Sequence, residues 1–334
     1  MRSRLLLLFN GDGTTRLVSE PLPPPTENEV VIRTLCTLVS AGTERLVLNG
    51  NIDPGLRDTT EDGTSFSYPR PYGYCTVGTV VATGPDAALS VGTRVFGFLP
   101  HATHHTVSES AVYTLPDALS TPDATFIPNV ETAFGIVWDA EVSLGSRVML
   151  IGAGTVGLLI ARLLHDIPAL DLAVVDRAPV LQRIAAYLPE ARRYTPDQLA
   201  DAAWPDASPH GPDAIIECSG QPAMLQRAMD QAGQETRVVV GSWYGTKPVD
   251  LNLGGAFHRK RLTLAATPVT TLPAQRKTRW SKDRQLRTAM TLAARLAPSE
   301  GHTRYVDFRE APFVYETLRA GSLSAPTLFV MPSC

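Results

Sequence analysis

Short apolar runs broken by polar turns fill the first 120 or so residues. Leu5–Phe9, Val30–Leu35, Gly78–Ala82 and Thr93–Gly97 read as strands, and Pro, Gly and Asn-Asp turns separate them. Pro21–Pro25 reads as a turn or a short extended piece. From about Asn129 the pattern changes. Apolar runs at Val148–Ile151, Leu172–Asp176, Ala214–Glu217, Arg237–Val240 and Leu262–Ala265 alternate with amphipathic stretches at Thr155–Leu164, Val180–Leu188 and Met224–Gln231. Strand and helix in alternation predict an α/β domain with a parallel, doubly wound sheet. The tail mixes the two patterns: a helix at Lys282–Leu296, a strand at Arg304–Phe308, a helix at Ala311–Ala320 and a last strand at Thr327–Met331. No internal repeat is visible.

Composition narrows the class. The 334 residues are 44% hydrophobic and 19% charged, enough to bury two cores of ordinary size. A net charge of −3 favours neither nucleic acid nor an anionic membrane as a partner. Leu5–Phe9 is too short for a signal sequence or a membrane span, and a first strand explains it. Cys36, Cys75, Cys218 and Cys334 are scattered without a Cys-x-x-Cys pair, which fits a reduced cytoplasmic enzyme better than a disulfide framework or zinc finger.

The sharpest signal is Gly152-Ala-Gly154-Thr155-Val156-Gly157, directly after the run Arg147–Ile151 and ahead of Asp176 at the end of the next run. Gly-x-Gly-x-x-Gly alone is weak. Placed between a strand and a helix, with an acid about 20 residues on, it reads as a dinucleotide fold. Gly152 allows the turn, Gly154 lets the backbone approach a pyrophosphate, and Gly157 lets the helix lie close to the sheet. Thr155 and Val156 sit at the helix start, where unpaired N–H groups meet phosphate.

A nucleotide domain inserted between an N-terminal β-rich domain and a short C-terminal return resembles the medium-chain dehydrogenase/reductase superfamily over nearly the full length. Local matches are Gly42-Thr43-Glu44, Gly73–Gly78 leading into a strand, and Glu131-Thr132-Ala133 opening the cofactor domain. Ser242–Gly245 and Leu253–Leu262 are loosely similar to the bacteriochlorophyllide hydroxyethyl dehydrogenases. The resemblance implies a Rossmann domain over 126–267 and a GroES-like catalytic domain formed by 1–125 and 268–334.

The zinc ligands of that superfamily are missing here. Where the resemblance places a zinc-binding cysteine the chain has Ala41, and where it places a histidine it has Tyr74. No Cys, His or Asp stands near Pro128 for a third ligand, and the four-cysteine structural-zinc lobe is absent. Zinc needs three or more side-chain donors in one cluster, so no zinc is expected. His101, His104 and His105 are the competing donors. In a strand the last two face opposite sides, and a strand edge with partly exposed histidines is the favoured reading, with His104 left as a substrate contact.

Without a metal, positioned hydrogen-bond donors must stabilise the reacting oxygen. The resemblance puts Thr43 where a Thr or Ser bonds the substrate oxygen. Tyr74 takes the place of the zinc-binding histidine, and Glu44 that of the acid supporting it, so Glu44 is read as orienting Tyr74 or relaying a proton. The Tyr74 pKa, ordinarily about 10, must fall, or the phenol serves only as a donor. Cys75 reads as inert packing.

On the cofactor side, Asp176 is expected to accept from ribose hydroxyls and so favours NAD(H) over NADP(H), although the neighbouring Arg177 is a possible holder of a 2′-phosphate. By resemblance, Thr132 packs behind the nicotinamide, Ser219 and Gly220 line the adenosine side, and Gly241 and Ser242 lie near the carboxamide. Tyr72, Tyr74, Trp243 and Tyr244 are expected in one cleft suited to a bulky, apolar substrate. His258–Arg261 reads equally as an anion contact or a solvated helix end.

The first reading is a zinc-independent NAD(P)(H)-dependent oxidoreductase interconverting an alcohol with a ketone or aldehyde on a bulky, secondary-metabolite-like substrate. The alternatives are a reductase of an activated C=C or C=N bond and a non-catalytic nucleotide-binding protein. The partner is a small molecule. A cytoplasmic homodimer is expected by likeness, with Leu262–Val269 as the edge strand and Pro268 limiting its pairing.

Overall fold

The computed structural model describes residues 3–53, 55, 66–202, 204, 211–269 and 271–331. Cys334 lies outside the described residues. In chain order the elements are β1 (Ser3–Phe9), β2 (Thr15–Pro21), β3 (Glu29–Leu38), α1 (Ala41–Leu48), β4 (Arg70–Pro71), β5 (Thr76–Thr83), β6 (Arg94–Gly97), β7 (His104–Ser108), β8 (Val112–Thr114), α2 (Thr121–Ala124) and α3 (Ile127–Asp139). There follow β9 (Arg147–Ile151), α4 (Thr155–His165), β10 (Asp171–Val175), α5 (Ala178–Tyr187), β11 (Arg192–Tyr194), β12 (Ala214–Glu217), α6 (Pro222–Gln231), β13 (Arg237–Val240) and β14 (Thr263–Ala266). The chain closes with α7 (Lys282–Leu296), β15 (Arg304–Asp307), α8 (Ala311–Arg319) and β16 (Thr327–Val330). Two compact units result, one of Met1–Pro128 with Arg287–Cys334, the other of Asn129–Leu286.

In the first unit a sheet in the order β15-β16-β3-β5-β6-β8, with β7 added against β3, lies beside a smaller sheet β2-β1-β4. Alternation along β1 sends Leu7 and Phe9 fully inward. They join Val47, Leu48, Phe308, Tyr315 and Phe329 in one core, where the Phe9 and Tyr315 rings meet edge to face at 4.9 Å. This core backs the start of α1, and α1 carries the candidate chemistry.

β7 overturns one expectation. His104 and His105 do face opposite sides, but His105 is 2% exposed and His101, just before the strand, is 0% exposed. Pairing of β7 to β3 places His105 opposite Ile32, and of the five residues of the strand His105 alone is buried. The His105 Nε2 has no hydrogen-bond partner. Burial, followed by the charge of Arg4 and the neighbouring histidines, pushes its pKa down to about 3 from 6.5. The imidazole is neutral in the fold, while the unfolded chain takes up a proton below pH 6.5. Stability is therefore full above pH 6.5 and declines as pH falls toward 3, by about 2 kcal/mol at pH 5. Urea unfolding at pH 7 and pH 5 should show that loss, and His105→Val should flatten it; a slope unchanged in the variant would assign the acid sensitivity elsewhere.

In the second unit β9 to β14 form one wholly parallel sheet in the order β11-β10-β9-β12-β13-β14. Its inner strands are buried on both faces, which is why β9 and β12 read as unbroken apolar runs. Counting within the sheet, the strand order is third, second, first, fourth, fifth, sixth, and it reverses between β9 and β12. Ligands of open α/β sheets bind at such a switch point, outside the carboxyl ends of the strands. β11 lacks an apolar run and occupies an edge. β14 is the opposite edge, with Leu264 turned outward.

Candidate active site

β3 runs into Val39 and Ser40, and α1 begins at Ala41 with Ser40 as its N-cap. The Ser40 N–H donates to Glu44 Oε1 at 2.9 Å, a backward reach like that of a capping box but one residue longer. Glu44 is wholly buried, yet each of its oxygens is satisfied. Tyr315 O–H from α8 donates to Oε2 at 2.5 Å, and His101 Nε2 lies 3.2 Å from Oε1. His101 Nδ1 is 2.9 Å from Thr37 Oγ1, and Thr76 Oγ1 stands 3.2 Å from Thr37 Oγ1 and donates to the Leu99 carbonyl at 2.9 Å.

In front of this buried network stand three hydroxyls. Tyr74, half-buried, shares a hydrogen bond with Ser40 Oγ, and the Thr43 side chain lies near it. Burial pushes the Tyr74 phenol up from its ordinary value, the nearby Cys75 and Glu44 add to this, and the Ser40 and Thr43 side chains oppose it. Tyr74 is thus a neutral donor at working pH. Tyr315 is pushed up by burial and then by Glu44, and so is the Cys75 thiol, which makes Cys75 packing rather than a nucleophile. Gly73 has φ +121°, and a Cβ there would come within 2.8 Å of the His101 ring. Glycine before Tyr74 is therefore needed twice, for its backbone angle and for the close approach of imidazole.

Thr43, Glu44 and Tyr74 are brought together as the sequence suggests. Ser40, Thr37, His101 and Tyr315 complete the group and were not expected in it. His104 is not part of it; half-exposed on β7, its Nδ1 lies 3.2 Å from Thr103 Oγ1. Tyr72, expected to face a substrate, is a core ring 7% exposed, packed edge-on to Tyr74 at 6.1 Å and against Phe9 and Phe66. Among the described residues no three His, Cys, Asp or Glu side chains are grouped to hold a metal ion.

The second unit builds the nucleotide turn. Gly152 has φ +95°, and a Cβ on it would lie 2.5 Å from the backbone of Cys218 and Ser219, the far side of the switch point. A Cβ on Gly157 would lie 2.1 Å from the Gly152 carbonyl. Both glycines are demanded by packing. Gly154 differs: as N-cap of α4 with φ −64°, it has nothing within 4 Å of where its Cβ would be. Gly220 across the switch point also faces open space. Open glycines beside a helix N-terminus, with Thr155 and Val156 as its first residues, form a cradle that suits a pyrophosphate.

Asp176 follows β10, and each of its oxygens accepts one backbone N–H at 2.6 Å, from Ala153 in the turn and from Arg177. A carboxylate has about four acceptor sites, so capacity for ribose hydroxyls remains. Arg177 is exposed, and Thr132 is half-buried on α3. At the end of β12, the buried Glu217 accepts from the Ser219 N–H at 2.7 Å, from the Ser219 hydroxyl and from the Tyr244 hydroxyl. Tyr244 is therefore committed to Glu217 and packs on the core of this unit, while Trp243 is 43% exposed. Ser242 Oγ accepts from Gly220 N–H at 2.8 Å, and Gly241 lies so close to Cys218 Sγ that a Cβ would be 2.6 Å from it. The basic stretch is structural: Lys260 Nζ donates to the Ala232 carbonyl at 2.6 Å and Arg261 pairs with Glu235.

A parallel sheet with a glycine turn at its switch point, in one chain with a β-rich unit bearing a hydroxyl cluster, defines a dehydrogenase fold of the nucleotide-dependent kind. No protein-family model matches the chain. Among curated proteins it is 24% identical over 284 residues to the 2-desacetyl-2-hydroxyethyl bacteriochlorophyllide A dehydrogenase of Cereibacter sphaeroides, covering 80% of this chain and 82% of that protein. It is 24% identical over 194 residues to a zinc-type alcohol dehydrogenase-like protein of Escherichia coli K12, covering 49% of this chain and 54% of that one. Among solved structures it matches 2R,3R-butanediol dehydrogenase from Bacillus subtilis with TM-score 0.79 and 17% identity, covering 99% and 100% of the two chains. It matches an alcohol dehydrogenase of E. coli CFT073 complexed with NADH with TM-score 0.75 and 16% identity, covering 98% and 99%. The chain shares the fold of these dehydrogenases, a Rossmann unit and a GroES-like unit.

Proposed function

We propose that this chain is an NAD(P)(H)-dependent oxidoreductase that interconverts a carbonyl and an alcohol without zinc, on a bulky substrate, and prefers NAD(H). The observation that carries the reading is the neutral Tyr74 hydroxyl, held by Ser40 beside Thr43 and in front of the buried Glu44. Two positions where the zinc-type resemblance expects ligands hold Ala41 and Tyr74, and the nearby Cys75 is a buried thiol rather than a thiolate. That donor set does not suit zinc.

When bound, the dinucleotide supplies the hydride. The chain's own residues handle the oxygen. As hydride adds to the carbonyl carbon, negative charge develops on the oxygen, and a fixed hydroxyl donor stabilises it at no cost in reorganisation. Tyr74 O–H donates a hydrogen bond to that oxygen as the charge develops, and the proton that completes the alcohol comes from water. Ser40 holds the phenol in position, and Thr43 stands beside it. Glu44, locked behind, fixes the turn that carries Ser40. On the cofactor side, the Asp176 carboxylate favours a free ribose 2′-hydroxyl over a 2′-phosphate.

The test uses NADH deuterated at C4 with a panel of ketones, aldehydes, enones and iminium ions. Deuterium on a carbinol carbon, with NADH preferred to NADPH, is expected. Label on a former C=C or C=N carbon, or no transfer to any acceptor, would overturn the assignment.

A further inference from the structure

We infer that His101 is a positioning residue that sets the turnover rate through Glu44 and Ser40, without touching substrate. The inference rests on the reading of Tyr74 as the donor. His101 stands 57 residues from Glu44, yet it is aimed at Glu44 from every side. Its ring is wholly buried, with Thr37 Oγ1 on Nδ1 at 2.9 Å and the Phe329 ring perpendicular to it at 5.5 Å. The Tyr315 ring lies 6.4 Å away, and Gly73 leaves no room for a side chain on the remaining face. The backbone is tied as well: His101 N–H donates to Tyr72 O, and its carbonyl accepts from Leu7 N–H, each at 3.0 Å.

The hydrogen-bond roles follow from donor counting. Glu44 accepts from Ser40 N–H and Tyr315 O–H, and with its hydrogen on Nε2 His101 donates to Oε1 as well. Thr76 has one hydroxyl proton, and the Leu99 carbonyl takes it. With the hydrogen on Nε2, Nδ1 accepts, and Thr37 donates its one hydroxyl proton to Nδ1 at 2.9 Å. His101 and Ser40 N–H bond the same oxygen, Oε1, while Tyr315 holds Oε2. Removing the imidazole donor leaves Oε1 with Ser40 alone, inside a buried site where an under-satisfied carboxylate is costly. The Ser40 turn is then no longer held in one place. Ser40 Oγ is the atom on which the Tyr74 hydroxyl rests, so the defect reaches the hydrogen-bond donor.

The experiment is a double-mutant cycle on the full chain. His101→Phe keeps a ring against Phe329 and removes both nitrogens. It should lower kcat for carbonyl reduction by about ten- to a hundredfold, with KM and the Kd for NADH unchanged. In a Tyr74→Phe background the same change should cost little, because its effect passes through the phenol. His101→Gln keeps an N–H of similar reach and should recover much of the lost rate, whereas His101→Asn is too short and should not. This pair decides the matter if the Phe variant fails to fold. Equal losses in both backgrounds, weaker NADH binding, or Asn matching Gln would overturn the inference. A Tyr74→Phe variant that turns over like the parent would instead overturn the catalytic reading beneath it.

Discussion

Tyr74→Phe is expected to lower kcat for carbonyl reduction by about two to three orders of magnitude, the usual effect of removing one donor to a developing oxyanion. The ring stays packed edge-on to Tyr72, so the fold and the melting temperature should be retained. Only the hydroxyl bonded to Ser40 is lost. Since that hydroxyl matters more in the transition state than in the ground state, KM should move far less than kcat. The pH dependence is a second check. Burial raises the Tyr74 pKa above its ordinary value, so the phenol stays protonated through the neutral and mildly alkaline range. The rate of reduction should not fall near pH 10 from Tyr74 ionisation. Rates equal to the parent across pH would remove Tyr74 from the mechanism.

The second large effect concerns the glycine turn, where two substitutions separate binding from folding. Gly154→Ala puts a methyl group into open space at φ −64°, an angle alanine adopts freely. The melting temperature should barely change, but the methyl occupies the approach of a pyrophosphate to the α4 N-terminus. NADH binding should weaken about a hundredfold, or about 2.7 kcal/mol. Gly157→Ala does the reverse. Its Cβ would fall 2.1 Å from the Gly152 carbonyl, so the helix must shift off the sheet, at a cost of about 1–3 kcal/mol. Thermal melts and fluorescence titrations with NADH on the two variants should show these opposite signatures. If Gly154→Ala bound NADH as the parent does, the pyrophosphate would not lie on this turn.

The two glycines also show what the sequence discloses. The buried parallel strands β9, β10, β12 and β13 are unbroken apolar runs, and a glycine turn after such a run has a meaning that local chemistry supplies. β11, with the sequence Arg-Arg-Tyr, carries no apolar signal because it pairs on one side only and sits at an edge. α1 was legible as a motif but not as a helix, since Ala41-Gly42-Thr43-Glu44 reads locally as a loop and the core that holds the helix is made by distant residues.

The candidate site divides the same way. Thr43, Glu44 and Tyr74 stood out because resemblance marks their positions. Ser40 lay one residue outside the motif, and with Glu four rather than three residues on it misses the spacing of a capping box. His101 and Tyr315 reach Glu44 across 57 and 271 residues, by way of sheet pairing and α8 packing. Nothing in the local pattern of Pro100–Thr106 distinguishes His101 from His104. Burial of His101 and His105 was missed because strand alternation gives which side a residue faces but not what covers that side. Tyr244 was read as one aromatic of a substrate cleft, and no local signal pointed to the bond of its hydroxyl with Glu217 at the end of β12.

The account turns on side-chain hydroxyls doing the work of a metal ion at the reacting oxygen. Its most direct test is carbonyl-reduction turnover of the purified chain before and after exhaustive chelation, with metal content determined on the same samples. Substoichiometric zinc and an unchanged rate are predicted. One zinc per chain, lost together with activity and restored together with it, would contradict the account.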